Sequence, residues 1–317
     1  MIYRCAILDD YQNIALKMAD WGSLRSDVDV HVFDRPFADA AEVKHSLQGF
    51  HIVNAMRERT PFPREVIDAL PDLKLLITTG MANKSIDLAA CKGRVTVCGT
   101  QGVGNPTTGI AFGLMLELTR RIGFENARMK AGQPWQVTIG PDLEGLTLGI
   151  VGLGKLGKRV ARIAQAFGMN VLAWSPNLTA EKAEAAGIAY ASKEDLLRQA
   201  DIVTIHMQLS ERTIGLLGEA DLALMKPSAY LVNTSRGPLV DEKALIDGLT
   251  QKRIGGAGLD VFNVEPLPLE HPFRTLENVV MTPHLGYVTQ QNYKKNYGDV
   301  VENIRAFVNG TPVRVLT

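Results

Sequence analysis

The stretch Ile150–Val160, "IVGLGKLGKRV", sets Gly152, Gly154 and Gly157 in G-x-G-x-x-G spacing directly behind an apolar run. Three spaced glycines carry little meaning alone, because turns of many kinds use glycine; the surrounding pattern decides. "LTLGIV", Leu146–Val151, reads as a buried parallel strand, and "KLGKRVARIAQAFG" repeats Leu156, Val160, Ile163, Ala164 and Phe167 at helical spacing. Gly168 then stops the helix and "NVLAW" supplies the next strand. Strand, glycine turn, helix and second strand within about 30 residues form the unit that cradles a dinucleotide pyrophosphate. In it Gly152 makes the tight turn, Gly154 lets the backbone approach the phosphates, and Gly157 lets helix and strand pack closely. The amides of Lys155 and Leu156 then face the phosphates at a helix N-terminus.

Such a unit usually starts a domain, yet here about half the chain's length precedes it. That preceding half alternates strand and helix: "YRCAILDD", a helix from about Asn13, "DVDVHVFD", a helix over "AAEVKHSL", "FHIVNAM", a helix over "PREVIDAL", "LKLLITTG", then "VTVCGT". These are the parts of a small doubly wound domain, complete before residue 105. A long helix, "NPTTGIAFGLMLELTRRIGFENARM", follows; it is too apolar for a surface helix, so packing between domains or subunits is expected. The second domain continues through "DIVTIHM", "AYLVNTS", "GGAGLDVF" and "NVVMTPH". The last helix, Asn292 to Val308, has no sheet left to complete, so it is expected to fold back on the first domain. The expected fold is therefore α/β with two doubly wound parallel sheets, residues 105–289 inserted in a discontinuous domain of residues 1–104 and 290–317.

Bulk properties agree with this reading. A chain of 317 residues makes two domains of ordinary size, and 46% apolar with 21% charged residues is ordinary globular composition. Lysine plus arginine equals aspartate plus glutamate, at 34 each, which favours neither nucleic acid nor an anionic membrane as partner. Cys5, Cys91 and Cys98 have no metal spacing and read as reduced thiols, so no metal is expected. "MIYRCAILDD" reads as a strand rather than a signal peptide, and no apolar run is long enough to span a bilayer; the expectation is a soluble cytoplasmic protein.

Ligands of doubly wound domains bind at the carboxyl ends of the strands, here expected in the cleft between the two domains. Three strand ends of the second domain carry polar groups that a fold alone does not need. "LVNTSRGPLVD" places Arg236 behind an apolar strand, "AGLDVFNVEPLP" places Asp260 and Glu265 about another, and "VVMTPHLGYV" places His284 past a third. Taken alone, the arginine reads first as a surface residue and the histidine as a loop residue. A cation, a carboxylate and a histidine on successive strand ends beside a nucleotide cradle form a catalytic set.

At this point the sequence resembles the D-isomer-specific 2-hydroxyacid dehydrogenases, which include glyoxylate/hydroxypyruvate reductases and phosphoglycerate dehydrogenases. The resemblance covers nearly the whole chain and is most specific in "GLGKLGKRVARIAQAFGMNVLAW", "VNTSRGPLVDEKAL", "AGLDVFNVEPLP" and "TPHLGYVT", in the family's order. It implies that Arg236, Glu265 and His284 are the catalytic arginine, glutamate and histidine. It implies that Gly80, Met81 and Ala82 in "TTGMA" hold the substrate, and that Asp260 contacts the nicotinamide carboxamide. Thr108, Thr213, Thr234 and Gly286 join Gly152, Gly154, Lys155, Leu156, Gly157 and Ser175 as expected cofactor contacts. The first domain is then the substrate domain, the second binds NAD(H) or NADP(H), and the assembly is a homodimer formed mainly through the cofactor domains.

The residue types suit the reaction. Reducing a 2-oxo acid takes a hydride to C2 and a proton to the carbonyl oxygen, and a histidine is the side chain that titrates near neutrality. A glutamate on its other ring nitrogen fixes the tautomer and favours the imidazolium, while arginine offers a carboxylate a bidentate fork. The sequence departs from the family at two places. An acid usually stands about 20 residues beyond the glycines to bind the adenosine ribose; Ser175 stands there, and no arginine follows in Pro176–Thr179, with Lys182 a remote candidate for a 2′-phosphate. The expectation is use of either dinucleotide, slightly favouring NADP. Gln208 replaces a usual proline, with no role assigned. Arg57 and Arg59, behind "FHIVNAM", read either as solvated loop charges or as partners of a substrate phosphate or second carboxylate. Two other functions remain open on sequence: an NADH-sensing corepressor-like module, and a phosphite- or formate-type dehydrogenase.

Overall fold

The structure is a computed structural model and describes residues 2–317. It falls into two compact units: the chain up to Gly104 together with Val288–Thr317, and Asn105–Tyr287. The return crossing thus lies just ahead of the position expected at residue 289.

In the first unit the strands β1 (Tyr3–Ile7), β2 (Val28–Val32), β3 (Ile52–Ala55), β4 (Leu75–Thr78) and β5 (Thr96–Cys98) form one parallel sheet in the order β2-β1-β3-β4-β5. β3 and β4 are buried along their whole length, which is why their apolar residues do not alternate with exposed ones. Val43, Leu47, Phe50, Val66, Ile67 and Leu70 cover one face. The C-terminal helix Gln290–Val308 packs on β4 and buries Tyr293, Tyr297, Val300 and Ile304.

In the second unit β6 (Thr147–Val151), β7 (Asn170–Trp174), β8 (Ala189–Tyr190), β9 (Ile202–Ile205), β10 (Tyr230–Asn233), β11 (Gly256–Leu259) and β12 (Val279–Met281) form a second parallel sheet, in the order β12-β11-β10-β9-β6-β7-β8. Its two faces carry separate apolar cores, one around Leu148, Ile150, Val160 and Ala164, the other around Val203, Leu231, Leu245 and Leu249.

Two expected helices differ. Instead of a helix from Asn13 the chain makes two short 3₁₀ turns, Ala15–Lys17 and Trp21–Leu24. The Asp10 carboxylate takes the amides of Ile14 and Ala15, Asp20 takes that of Ser23, and the Trp21 indole donates to the Ala15 carbonyl. Side chains thus satisfy the groups that a helix would have used. The long apolar helix is broken at Arg121, whose φ is +49°, into Thr107–Arg120 and Ile122–Lys130. The first piece packs on β10, β11 and β12 of its own unit, and the second buries none of its residues. Among the described residues no helix is long and apolar enough to cross a membrane.

Candidate active site

The seven-stranded sheet changes winding direction between β6 and β9, which opens a crevice at the strands' carboxyl ends. The glycine turn lies there. Gly152 has φ +107°, and a Cβ on it would lie 2.4 Å from the His206 carbonyl oxygen; a Cβ on Gly157 would lie 2.2 Å from the Gly152 carbonyl oxygen. Both contacts exclude any side chain. A Cβ on Gly154 would meet no atom within 4 Å, so that residue faces the open side. Gly154 is the N-cap of the helix Lys155–Ala166 and offers no side-chain cap, which leaves the amides of Lys155 and Leu156 suited to an anion.

Buried hydroxyls give a second test of fit. The Oγ1 atoms of Thr108 and Thr234 are buried without a hydrogen-bond partner among the described residues, as is Nδ1 of His206 at the end of β9. Buried polar atoms ordinarily have partners. A dinucleotide, rich in hydroxyl, phosphate and amide groups, would offer partners to such atoms, so these residues fit it. His206 was not singled out from sequence, although a histidine closing "DIVTIHM" carries the same signal as His284.

Other expected cofactor residues are engaged within the protein. The Thr213 hydroxyl gives its one proton to the Gln208 carbonyl at 2.8 Å and accepts from the Ser210 amide at 2.7 Å, closing its own loop. Ser175 Oγ accepts from the Leu153 amide at 2.9 Å and so steadies the glycine turn from the end of β7. Asp260 is fully buried, and its carboxylate takes three hydrogen bonds: from Thr282 Oγ1 at 2.6 Å, the Leu285 amide at 2.7 Å and the Gly286 amide at 2.8 Å. Gly286 returns its carbonyl to Thr107 Oγ1 at 2.9 Å.

Those bonds hold the loop carrying His284, whose φ of +53° is left-handed and uncommon for a side chain of this size. The ring's Nδ1 lies 2.6 Å from Glu265 Oε2, with the two side chains only 18% and 27% exposed. Glu265 Oε1 meanwhile accepts from the Phe262 amide at 2.9 Å, so both oxygens are directed. Burial pushes the Glu265 carboxyl upward, but its bond to His284, the His284 charge, the Phe262 amide and nearby Arg236 together hold it below the ordinary value. Arg236 reaches this place through a local turn: Asn233 donates to the Arg236 carbonyl at 2.9 Å and accepts from the Ser235 amide at 3.0 Å. A Cβ on Gly237 would lie 2.2 Å from the Phe262 carbonyl carbon, so glycine lets the arginine segment pass against the glutamate loop. The second unit thus brings Arg236, Glu265 and His284 together.

In the first unit, the segment Gly80–Ala82 follows β4. The Gly80 amide is committed to Thr100 Oγ1 at 2.9 Å, so the amides of this segment that remain for a ligand are those of Met81 and Ala82. Arg57 donates to the Thr79 carbonyl at 3.3 Å and Arg59 stacks over the Tyr11 ring at 4.5 Å, so each arginine has a contact within its own unit. Gln208 is exposed and nothing in the structure explains its replacement of proline.

Residues 112–286 match the family described as D-isomer specific 2-hydroxyacid dehydrogenase, NAD binding domain. A glyoxylate reductase of Korarchaeum cryptofilum is 38% identical over 258 residues, 79% of this chain and 77% of that protein. A hydroxypyruvate reductase of Blautia hydrogenotrophica is 31% identical over 94% of each chain. The crystal structure of a phosphoglycerate oxidoreductase from Vibrio cholerae superposes with TM-score 0.91 at 33% identity, covering 98% of this chain and all of that one.

Proposed function

Because the chain belongs to the D-isomer-specific 2-hydroxyacid dehydrogenase family, and is thereby an NAD(P)-dependent oxidoreductase acting on CH–OH donors, we propose that it reduces a small 2-oxo acid of the glyoxylate or hydroxypyruvate type. The observation that carries this reading is the 2.6 Å contact between His284 and Glu265.

A bound dinucleotide supplies the hydride. Glu265 accepts from Nδ1–H of His284, which turns Nε2 toward the substrate. Nε2–H then gives its proton to the carbonyl oxygen as C2 is reduced. Arg236 binds the carboxylate in a bidentate fork that lysine cannot offer. In the first unit, the amides of Met81 and Ala82 are assigned to the substrate, and that unit is the substrate domain. Asp260 acts by holding the His284 loop, and Thr108 and Thr234 supply hydroxyls to the dinucleotide.

Either dinucleotide is accepted, with a slight preference for NADP. Ser175 puts no carboxylate where a 2′-phosphate would be repelled, and its proton remains to be donated, since its oxygen only accepts from Leu153. The protein is a cytoplasmic homodimer whose contact runs through the cofactor domain. Ile122, Phe124, Met129, Trp135, Val137 and Ile139, six large apolar residues exposed within one stretch of that unit, support a second copy as its cover.

A panel of 2-oxo acids assayed with NADH and NADPH tests the reading. Turnover is expected on glyoxylate and hydroxypyruvate with both dinucleotides; absence of turnover on every acid overturns it, and a preference for NADH above about a hundredfold overturns the cofactor assignment alone.

A further inference from the structure

The C-terminal helix Gln290–Val308 hides a polar stripe: Asn292, Asn296, Asp299 and Asn303 are 6%, 3%, 2% and 0% exposed. Steps of four, three and four residues put them on one face. A helix that served only to close a core would show apolar residues there. These four instead bind the segment that follows β5. Asn303 Nδ2 donates to the Gly99 carbonyl at 2.9 Å, Asn296 Oδ1 accepts from Thr100 Oγ1 at 3.2 Å, Asp299 Oδ2 accepts from the Gln101 amide at 2.8 Å, and Asn292 Oδ1 accepts from the Val103 amide at 3.1 Å. Beyond the end of β5 the chain has left the sheet ladder, and the helix supplies the partners its backbone needs.

Thr100 passes this constraint on. It is fully buried, its Oγ1 accepts from the Gly80 amide at 2.9 Å, and its own amide donates to the Gly80 carbonyl at 3.1 Å. A Cβ on neighbouring Gly99 would lie 2.8 Å from the Gly80 carbonyl oxygen and 2.9 Å from Met81 Sδ, so the two segments meet with no room for a side chain. Gly80 is thereby gripped through both its N–H and its C=O. Because each peptide group is planar, fixing these two fixes the direction in which the Met81 amide leaves. The hydroxyl that accepts from Gly80 has one proton, and Asn296 receives it.

We propose that Thr100 and Asn296 are positioning residues for the substrate: a relay from the C-terminal helix through Thr100 to Gly80 aims the Met81 and Ala82 amides at the substrate carboxylate. The proposal rests on the assignment of Gly80–Ala82 to the substrate. Neither residue touches the reacting atoms, so the effect belongs in KM for the 2-oxo acid rather than in the affinity for the dinucleotide.

The test compares Thr100→Val and Asn296→Leu with Thr100→Ser and Asn296→Asp, which keep the hydroxyl and the acceptor. Each is measured for KM and kcat with glyoxylate, for NADH affinity by nicotinamide fluorescence, and for amide hydrogen exchange of the peptide 79–83. Misaiming a loop by a fraction of an ångström predicts a rise in KM of about tenfold, with kcat held within about twofold. NADH affinity stays unchanged, loop exchange quickens in Thr100→Val and Asn296→Leu, and the conservative pair behaves as the parent. Unchanged exchange in both disruptive variants overturns the relay. Faster exchange with unchanged KM leaves the relay's geometry standing, but removes the loop from substrate binding and overturns the positioning role with it. Should Thr100→Val fail to fold, the contrast between Asn296→Ala and Asn296→Asp decides on the same measurements.

Discussion

His284 holds a left-handed backbone, φ +53°, that a histidine adopts at a cost, and the bonds from Asp260 to Thr282, Leu285 and Gly286 explain how the conformation persists. Asp260→Asn turns one acceptor oxygen into a donor facing N–H groups that need an acceptor. The expected result is a fall in kcat of about tenfold or more with little change in NADH affinity. The opposite pattern, weakened NADH binding at unchanged kcat, would return Asp260 to direct contact with the nicotinamide. His206 gives a pH prediction. Burial holds its imidazole down at about 4, whereas an unfolded histidine titrates near about 6.5. Between those values the unfolded chain binds the extra proton, so stability falls as pH drops from about 6.5 to about 4. Urea midpoints at pH about 7 and about 5 should fall further apart in the parent than in His206→Asn; equal losses would contradict the assignment.

At the scale of elements, the glycine turn separates a packing role from a binding role. Gly157→Ala would press a Cβ to 2.2 Å from the Gly152 carbonyl oxygen and force the helix Lys155–Ala166 off β6, so a lower thermal midpoint and weaker NADH binding are expected together. Gly154→Ala meets no protein atom within 4 Å, so its midpoint should hold while NADH binding falls, because the added methyl occupies the approach of the phosphates. A stable Gly157→Ala variant that binds NADH normally would contradict the close packing. The strands and the motif helix were legible because a parallel sheet buried on both faces leaves unbroken apolar runs, and a helix against it leaves a 3.6-residue period. The turns around Ala15 and Trp21 were not legible, since Asp10 and Asp20 end the helical pattern through side-chain bonds that polar residues in a helix would not distinguish. The break at Arg121 was not legible either, because the left-handed residue is an arginine and the nearby Gly123 lies inside the helix that follows.

At the scale of the whole molecule, the position of the glycine motif is explained by a chain that builds one unit, completes the other and returns to the first with Gln290–Val308. That plan could be read from the order of strands and helices. That Arg236, Glu265 and His284 gather in one region of the second unit could be read as well, because each follows an apolar strand and parallel strands deliver their ends to one edge. What held these residues in place could not: Asn233 under Arg236, Phe262 behind Glu265, Asp260 behind His284 and Asn296 behind Thr100 are contacts set by register, and register leaves no local pattern. The residues expected at the cofactor divided for the same reason, with Thr108 and Thr234 presenting unmet hydroxyls while Thr213 spends its proton in its own loop.

The central claim is that His284, oriented by Glu265, delivers the proton, and steady-state reduction of glyoxylate by His284→Gln tests it most directly. Glutamine keeps a polar side chain but cannot act as an acid, so kcat/KM should fall by about a hundredfold or more while NADH affinity measured on the same preparation stays within about twofold. A variant that reduces glyoxylate at the parent's rate would contradict the mechanism.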